Sequence, residues 1–471
     1  MNKKIINGIG WNSLSVSIKA ILLFIQMAVL ARTLSTDELG IVVILNVIIG
    51  FSYLLADMGI SSATIYNNNL TKRTLSQLQF LTISFGIILS IALFLLADII
   101  STFYEANSLA ILLKIISPIF FIKSLGLQSN ALSQKKLDFK AIAYIDILST
   151  FAGFLALIIC IFLSLGTLSV VISIGITCAL FSILSIYFSS EKFYFSLRIK
   201  FKEIDRILSY SAFQSMNSLF NYFSSQFDSI IIGKVLGMEV LGIYAYIKDL
   251  LFKPTLQVVN LIFNKMLFPI LCSYESTKKK GSIYLETVCV ISIINITLYS
   301  LFYIFGTFIL TSVFGKDWGS NVDILNMMIP YVLFISLINP VGCLLKATGK
   351  VKFGFYWDLI ISGFRCVIIY YAVGNGILTL LLTLDIFMFV VFLLHFYFIL
   401  RKKYDIKLYD WMASNFEAVM ASFCIFTLYY GSNTIADLNF QSLGVFLAFI
   451  LIIAATLGPY MISRIFKIGK N

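Results

Sequence analysis

Five cations fall deep inside apolar runs of this chain: Lys19, Lys123, Lys248, Lys253 and Arg365. A Lys or Arg at the centre of a bilayer costs about 2.5–3.5 kcal/mol on insertion scales, so retaining five requires a partner or a use. A lysine ammonium offers phosphate oxygens a compact charge and three donors. Asp57, Asp146, Asp228, Asp249, Asp358 and Asp385 lie in the same kind of run. Each could take up a proton or a sodium ion, and each could equally neutralise a nearby cation; spacing leaves both open. Asp249 and Lys253 are four residues apart and can pair on one helical face. Lys114 and Lys265 lie near the ends of their runs, where the amino group can snorkel to the headgroups.

The cations sit on polar stripes. Asn12, Ser15, Lys19 and Gln26 are spaced by 3, 4 and 7 residues, which places them on one helical face. Adding 202 to each number gives Gln214, Asn217, Asn221 and Asp228, again all polar. Asp249 and Lys253 continue through Gln257, Asn260 and Asn264, and Asn46, Tyr53 and Asp57 form a matching set. A polar stripe in a membrane helix must face protein or water, since lipid offers it no hydrogen-bond partner. Such stripes can simply pack two helices through polar contacts; their recurrence in both halves, each with an ionisable member, favours a hydrated central cavity. Asp57, Asp228 and Asp249 are the candidates for coupling or gating.

The elements that position these residues are membrane helices. Hydrophobic residues make up 59% of the chain and charged ones 12%, against about 25% in an ordinary soluble domain. The mean hydropathy is +0.95. A spanning helix needs about 20 apolar residues, and about fourteen stretches qualify: 8–31, 40–66, 79–103, 108–133, 141–164, 168–189, 207–232, 241–270, 283–313, 322–345, 355–373, 377–399, 416–431 and 443–463. The expected fold is an all-α integral membrane protein. The first stretch lacks a cleavage signature and is expected to be a retained helix.

The net charge of +12 does not point to nucleic acid, because the cations crowd alternate loops. The opposite loops hold only Arg32, Lys234 and Lys316. By the positive-inside rule both termini are cytoplasmic, which requires an even number of spans.

The segment Arg32–Ile41 returns as Lys234–Ile243, with Leu34/Leu236, Leu39/Leu241, Gly40/Gly242 and Ile41/Ile243 identical. Six spans per 202 residues make the repeats parallel. The expected domains are residues 1–200 and 201–400, each a six-helix bundle, and residues 401–471, two additional helices. Seven scattered cysteines show no metal spacing and are expected in the core; no metal or cofactor is expected. The single histidine, His395, has no partner for a triad. No nucleotide-binding or hydrolase motif occurs, so no catalytic residue is assigned.

These residues resemble the polysaccharide (Wzx-type) flippases of the multidrug/oligosaccharidyl-lipid/polysaccharide exporter superfamily. The resembling pieces are Leu30–Val42, Asp57–Ala63, Leu127–Ile147, Leu241–Ala245 and Asn264–Pro269. The resemblance implies twelve core helices in two bundles around a V-shaped cavity, with two extra helices. It implies translocation of an undecaprenyl-diphosphate-linked oligosaccharide, such as an O-antigen or lipopolysaccharide repeat unit, across the bacterial cytoplasmic membrane. Proton or sodium coupling is implied, and membrane lipids, a polysaccharide polymerase and chain-length proteins are the implied partners. On this chain Lys19, Lys123, Lys248, Lys253 and Arg365 would attract the diphosphate or acidic sugars. A drug or organic-cation antiporter of the same superfamily is the first rival, and it predicts an acid-rich cavity. A membrane enzyme of polysaccharide assembly is the second, and it predicts a long external loop or a His/Asp constellation.

Overall fold

The structure is a computed structural model that describes residues 3–66, 71–189, 201–436 and 444–451. Among the described residues it is helical throughout, with no strand. Ten helices are long and apolar enough to cross a membrane. An eleventh span is added if Asn107–Ile116 and Ile119–Lys135, bent by 40° at Pro118, count as one. Two further helices, Phe201–Val235 and Leu408–Ala436, lie at the expected seventh and thirteenth spans. Most of the stretch 443–463 lies outside the described residues. Large apolar side chains such as Ile88, Leu95, Ile99, Phe162 and Leu163 are exposed along these helices, as a lipid-facing surface requires.

The chain forms two compact units, Met1–Ile243 and Tyr244–Asn471. The first contains α1 (Lys3–Thr33), α2 (Thr36–Asp57), α3 (Ile60–Tyr66), α4 (Lys72–Tyr104), α5 (Asn107–Ile116), α6 (Ile119–Lys135), α7 (Phe139–Phe162), α8 (Leu168–Phe188), α9 (Phe201–Val235) and the start of α10 (Gly237–Phe252). Within it α7 packs on α8 and α1, α6 on α8 and α4, and α2 on α9.

Local chemistry sets the ends of these helices. Ser35 caps α2 in a reciprocal box: the Glu38 N–H donates to Ser35 Oγ at 3.3 Å, and the Ser35 N–H donates to Glu38 Oε2 at 3.0 Å. The helix stops where Met58 and Gly59 adopt positive φ, so the single span expected over 40–66 is two helices. The same correction applies at Ser117-Pro118 and at Asn339-Pro340, where a proline nitrogen has no proton for the ladder.

The repeated hairpin is used twice in one contact. A methyl group built on Gly40 would overlap the Met238 carbonyl, and one built on Gly242 would overlap the Thr36 carbonyl. Positions 36 and 238, like 40 and 242, differ by 202. The starts of α2 and α10 therefore meet reciprocally, as across a pseudo-two-fold axis, and only glycine lets the backbones approach. Leu39 and Leu241, the adjacent matched pair, are both fully buried.

The second unit contains the rest of α10, a π-helical stretch at Lys253–Asn260, α11 (Leu261–Ser273), α12 (Thr277–Ile304), α13 (Gly306–Phe314), α14 (Val322–Ile338), α15 (Val341–Ala347), α16 (Val351–Ala372), α17 (Ile377–His395), α18 (Lys402–Tyr404) and α19 (Leu408–Ala436). α14 packs on α17 and α12, and α19 packs along α12. That last pairing is polar: Ser292 Oγ donates to Asn415 Oδ1 at 2.9 Å, Cys289 Sγ to Glu417 Oε2 at 3.1 Å, and the Ser300 and Ser422 hydroxyls meet at 2.9 Å. Trp411 stacks on Phe396 at 4.6 Å, within a core that includes Leu267, Tyr284, Leu344 and Ile399.

Candidate functional site

In the first unit, five helices contribute to one charged cluster. α2 presents Tyr53 and, one turn on, Asp57; α6 presents Lys123; α7 presents Asp146; α1 presents Lys19; α8 presents Cys178 and Phe181. Lys123 is half-buried, with Nζ 3.4 Å from the centroid of the Tyr53 ring and 5.8 Å from that of Phe181. Such cation–π contacts contribute about 2 kcal/mol when desolvated. The Tyr53 hydroxyl lies 2.7 Å from Cys178 Sγ, and Phe120 meets the ring edge-on at 5.7 Å. These contacts fix the ring that holds the ammonium.

Lys19, Asp57 and Asp146 act on Lys123 through space, and Asp146 feels both lysines. Asp57 accepts from the Ser61 N–H at 3.3 Å and from the Ser61 hydroxyl, so its carboxylate caps α3. Among the described residues, Lys123 is held by rings and not by a carboxylate in contact. A cation held in that way keeps its donors available to an incoming oxyanion.

The other expected site residues are distributed as follows. Ser15 is buried and Gln26 half-buried on α1, while Lys19 is exposed. The side chains of Asn12, Gln214 and Asn217 lie outside the described residues. Asn221 is exposed on α9. Asp228 is buried and accepts from the Ser229 N–H at 2.9 Å.

In the second unit Lys248 lies 5.6 Å from the Tyr244 centroid and 5.8 Å from that of Phe252. Lys253 and Asp249 form the pair their spacing predicts, at 2.9 Å. Gln257 is exposed on the π-helical stretch, and Arg365 is half-buried on α16. Lys19 and Lys123 thus share a cluster within the first unit.

Two arrangements were not visible in the sequence. Lys114 does not reach for headgroups alone; Asp98 on the facing arm of the α4–α5 hairpin takes it at 2.7 and 2.8 Å. The hairpin brings together residues sixteen apart, a separation at which no helical spacing rule operates. In the second unit a buried polar network surrounds the π-helical stretch. Asn260 Nδ2 donates to the Ser336 carbonyl at 2.6 Å, Asn295 Nδ2 to Asn260 Oδ1 at 2.9 Å, and Tyr299 Oη to Thr255 Oγ1 at 2.7 Å. Only Asn260 of this set lay on an expected stripe. His395 is buried on α17.

The family described as polysaccharide biosynthesis protein matches residues 29–323, more than half of the chain. The chain belongs to this family. Its relatives include the teichuronic acid biosynthesis protein TuaB of Bacillus subtilis (strain 168), 28% identical over 428 residues, covering 90% of this chain and 87% of that protein. Another is the lipopolysaccharide biosynthesis protein WzxC of Escherichia coli (strain K12), 27% identical, covering 76% and 73%.

The fold of this polysaccharide biosynthesis protein matches the lipid II flippase MurJ in an inward closed conformation, with TM-score 0.78 and 17% identity over 97% of this chain and 98% of that one. A MATE transporter in complex with MaL6 matches with TM-score 0.53 and 13% identity over 88% and 96%. The expected all-helical membrane fold is thus borne out, the family is that of polysaccharide biosynthesis proteins, and the protein is a multi-pass membrane protein.

Proposed function

We propose that this protein flips an undecaprenyl-diphosphate-linked oligosaccharide from the inner to the outer leaflet of the bacterial cytoplasmic membrane by alternating access. The observation that carries the proposal is Lys123: an ammonium inside the membrane spans, seated on an aromatic ring with its donors available, in a family of polysaccharide biosynthesis proteins. A diphosphate is the group on such a lipid that a lysine recognises. The low dielectric around the cluster strengthens that attraction. Lys19, Lys248, Lys253 and Arg365 extend the cationic lining, and Asn12, Ser15, Gln26, Gln214, Asn217, Asn221 and Gln257 supply hydrogen bonds to sugar hydroxyls. Asp57, Asp228 and Asp249 couple the cycle to a proton or sodium gradient. The repeats at 1–200 and 201–400 are the moving bundles, with 401–471 as the appended pair.

Both termini face the cytoplasm, because the basic loops lie on that side. The protein works as a transporter and not as an enzyme, with membrane lipids around it and polymerase and chain-length proteins downstream. A drug antiporter is the second reading, supported by the weaker MATE likeness. The ring-held cation favours an anionic substrate.

The test is genetic and biochemical. Deleting the gene should make lipid-linked oligosaccharide accumulate on the cytoplasmic face and should remove the surface glycan. Intact surface glycan in the deletion strain would overturn the proposal.

A further inference from the structure

A cavity of about 610 Å³ lies at the end of the first unit where the α1–α2, α4–α5 and α9–α10 turns converge. Asp37, Tyr104, Asn107, Ser108, Gly233 and Lys234 are among its lining residues. We propose that this cavity binds sugar rings and selects neutral or amino-substituted sugars over acidic ones. The proposal rests on the transport reading for its biological context, and its chemistry stands on four observations.

First, its volume falls within the range of about 300–1,000 Å³ usual for small-ligand pockets. Second, its charge is set against anions. The Lys234 ammonium is already bound to Glu105 Oε1 at 2.9 Å, which ties the end of α9 to the end of α4. Asp37, exposed in the first turn of α2, then leaves the lining net negative. A carboxylated ring would meet this acid and find its one cation occupied.

Third, the polar groups suit hydroxyls. The Asn107 amide and Ser108 hydroxyl are exposed, and each can both donate and accept. Fourth, an aromatic side chain is among the lining residues. The half-buried Tyr104 ring lies against the α9 backbone at Gly233, where an added Cβ would come within 3.3 Å of Tyr104 Cε1 and 2.9 Å of a Leu241 methyl. The glycine is what lets the ring sit there. The turns around the cavity are those with few cations, so in the proposed orientation it opens on the outer face, where a delivered glycan emerges.

The test uses full-length protein in lipid nanodiscs with glucose, N-acetylglucosamine and glucuronate as separate probes, read by saturation-transfer NMR. Glucose or N-acetylglucosamine should show transfer and glucuronate should show little. The exposed double substitution Asn107→Ala/Ser108→Ala should weaken binding about three-fold or more. Asp37→Asn should raise the glucuronate signal. Equal signals for glucuronate and N-acetylglucosamine, no transfer to any probe, or a signal unchanged in the double variant would each overturn the proposal. If the deletion strain keeps its surface glycan while the nanodisc protein still discriminates these sugars, the transport reading fails and the pocket stands. If deletion blocks export but no probe binds, the pocket fails alone.

Discussion

Lys123 concentrates the problem of keeping charge in a membrane. Its ammonium is stabilised by the Tyr53 and Phe181 rings, an arrangement that offsets part of the desolvation cost without occupying its N–H donors. Lys123→Met should therefore abolish most glycan export while leaving membrane insertion intact, since a thioether fills the space with no charge to solvate. Tyr53→Leu should impair export less severely; export at wild-type levels in Lys123→Met would remove the residue from the substrate path.

A second residue-scale prediction concerns pH. The hydrogen bond and charge of Lys234 hold the Glu105 carboxyl below its usual value. A depressed carboxylate contributes stability above its ordinary pKa and loses it as pH falls through the lowered one. The thermal transition of Glu105→Gln should lie slightly below wild type at pH 7, and the two should converge once the pH falls below the lowered value. A gap that persists in acid would show that the pair contributes nothing electrostatic.

At the scale of elements, the reciprocal contact of α2 and α10 is the most constrained feature of the first unit. Gly40→Val places a branched side chain against the Met238 carbonyl, and the backbone has no rotamer to yield. We expect a loss of about 1–3 kcal/mol, read as a lowered unfolding transition in detergent. Gly242→Val meets Thr36 in the same way, and the double variant should cost less than the sum, because both act on one contact.

In the second unit Asn260 links the π-helical stretch to α12 and α14. Asn260→Ala leaves the Asn295 amide and the Ser336 carbonyl without their partner, at about 1–3 kcal/mol. Thermal unfolding checks this, and a variant as stable as wild type would mean that water replaces the lost amide.

At the scale of the whole molecule, membrane residence and internal repetition are legible in the amino-acid sequence alone. Apolar length alone makes spans, and a 202-residue echo of Leu34, Leu39, Gly40 and Ile41 survives because each hairpin makes the same turn. The element order keeps the echo: α1 ends at Thr33 and α9 at Val235, again 202 apart, and α6 and α14 are both 17 residues long. Packing follows another division, with the boundary at Ile243/Tyr244, because the starts of α2 and α10 pack on each other. Truncation after residue 407 should leave Ser292, Ser300 and Cys289 on α12 without their α19 partners, and it should reduce folded yield on size-exclusion chromatography.

The sequence by itself determined the membrane class, the all-helical fold, the 202-residue echo and the Asp249–Lys253 pair. Those follow from composition and from spacings of a few residues along one helix. Only the tertiary structure decided that Lys123 sits on Tyr53, that Asp98 claims Lys114, that Asn260 joins Asn295 and Ser336, and that Gly40 and Gly242 face the opposite hairpin. The partners there are sixteen to about two hundred residues apart. Helical periodicity has no reach over such distances, and only the packing of whole helices brings these side chains into contact.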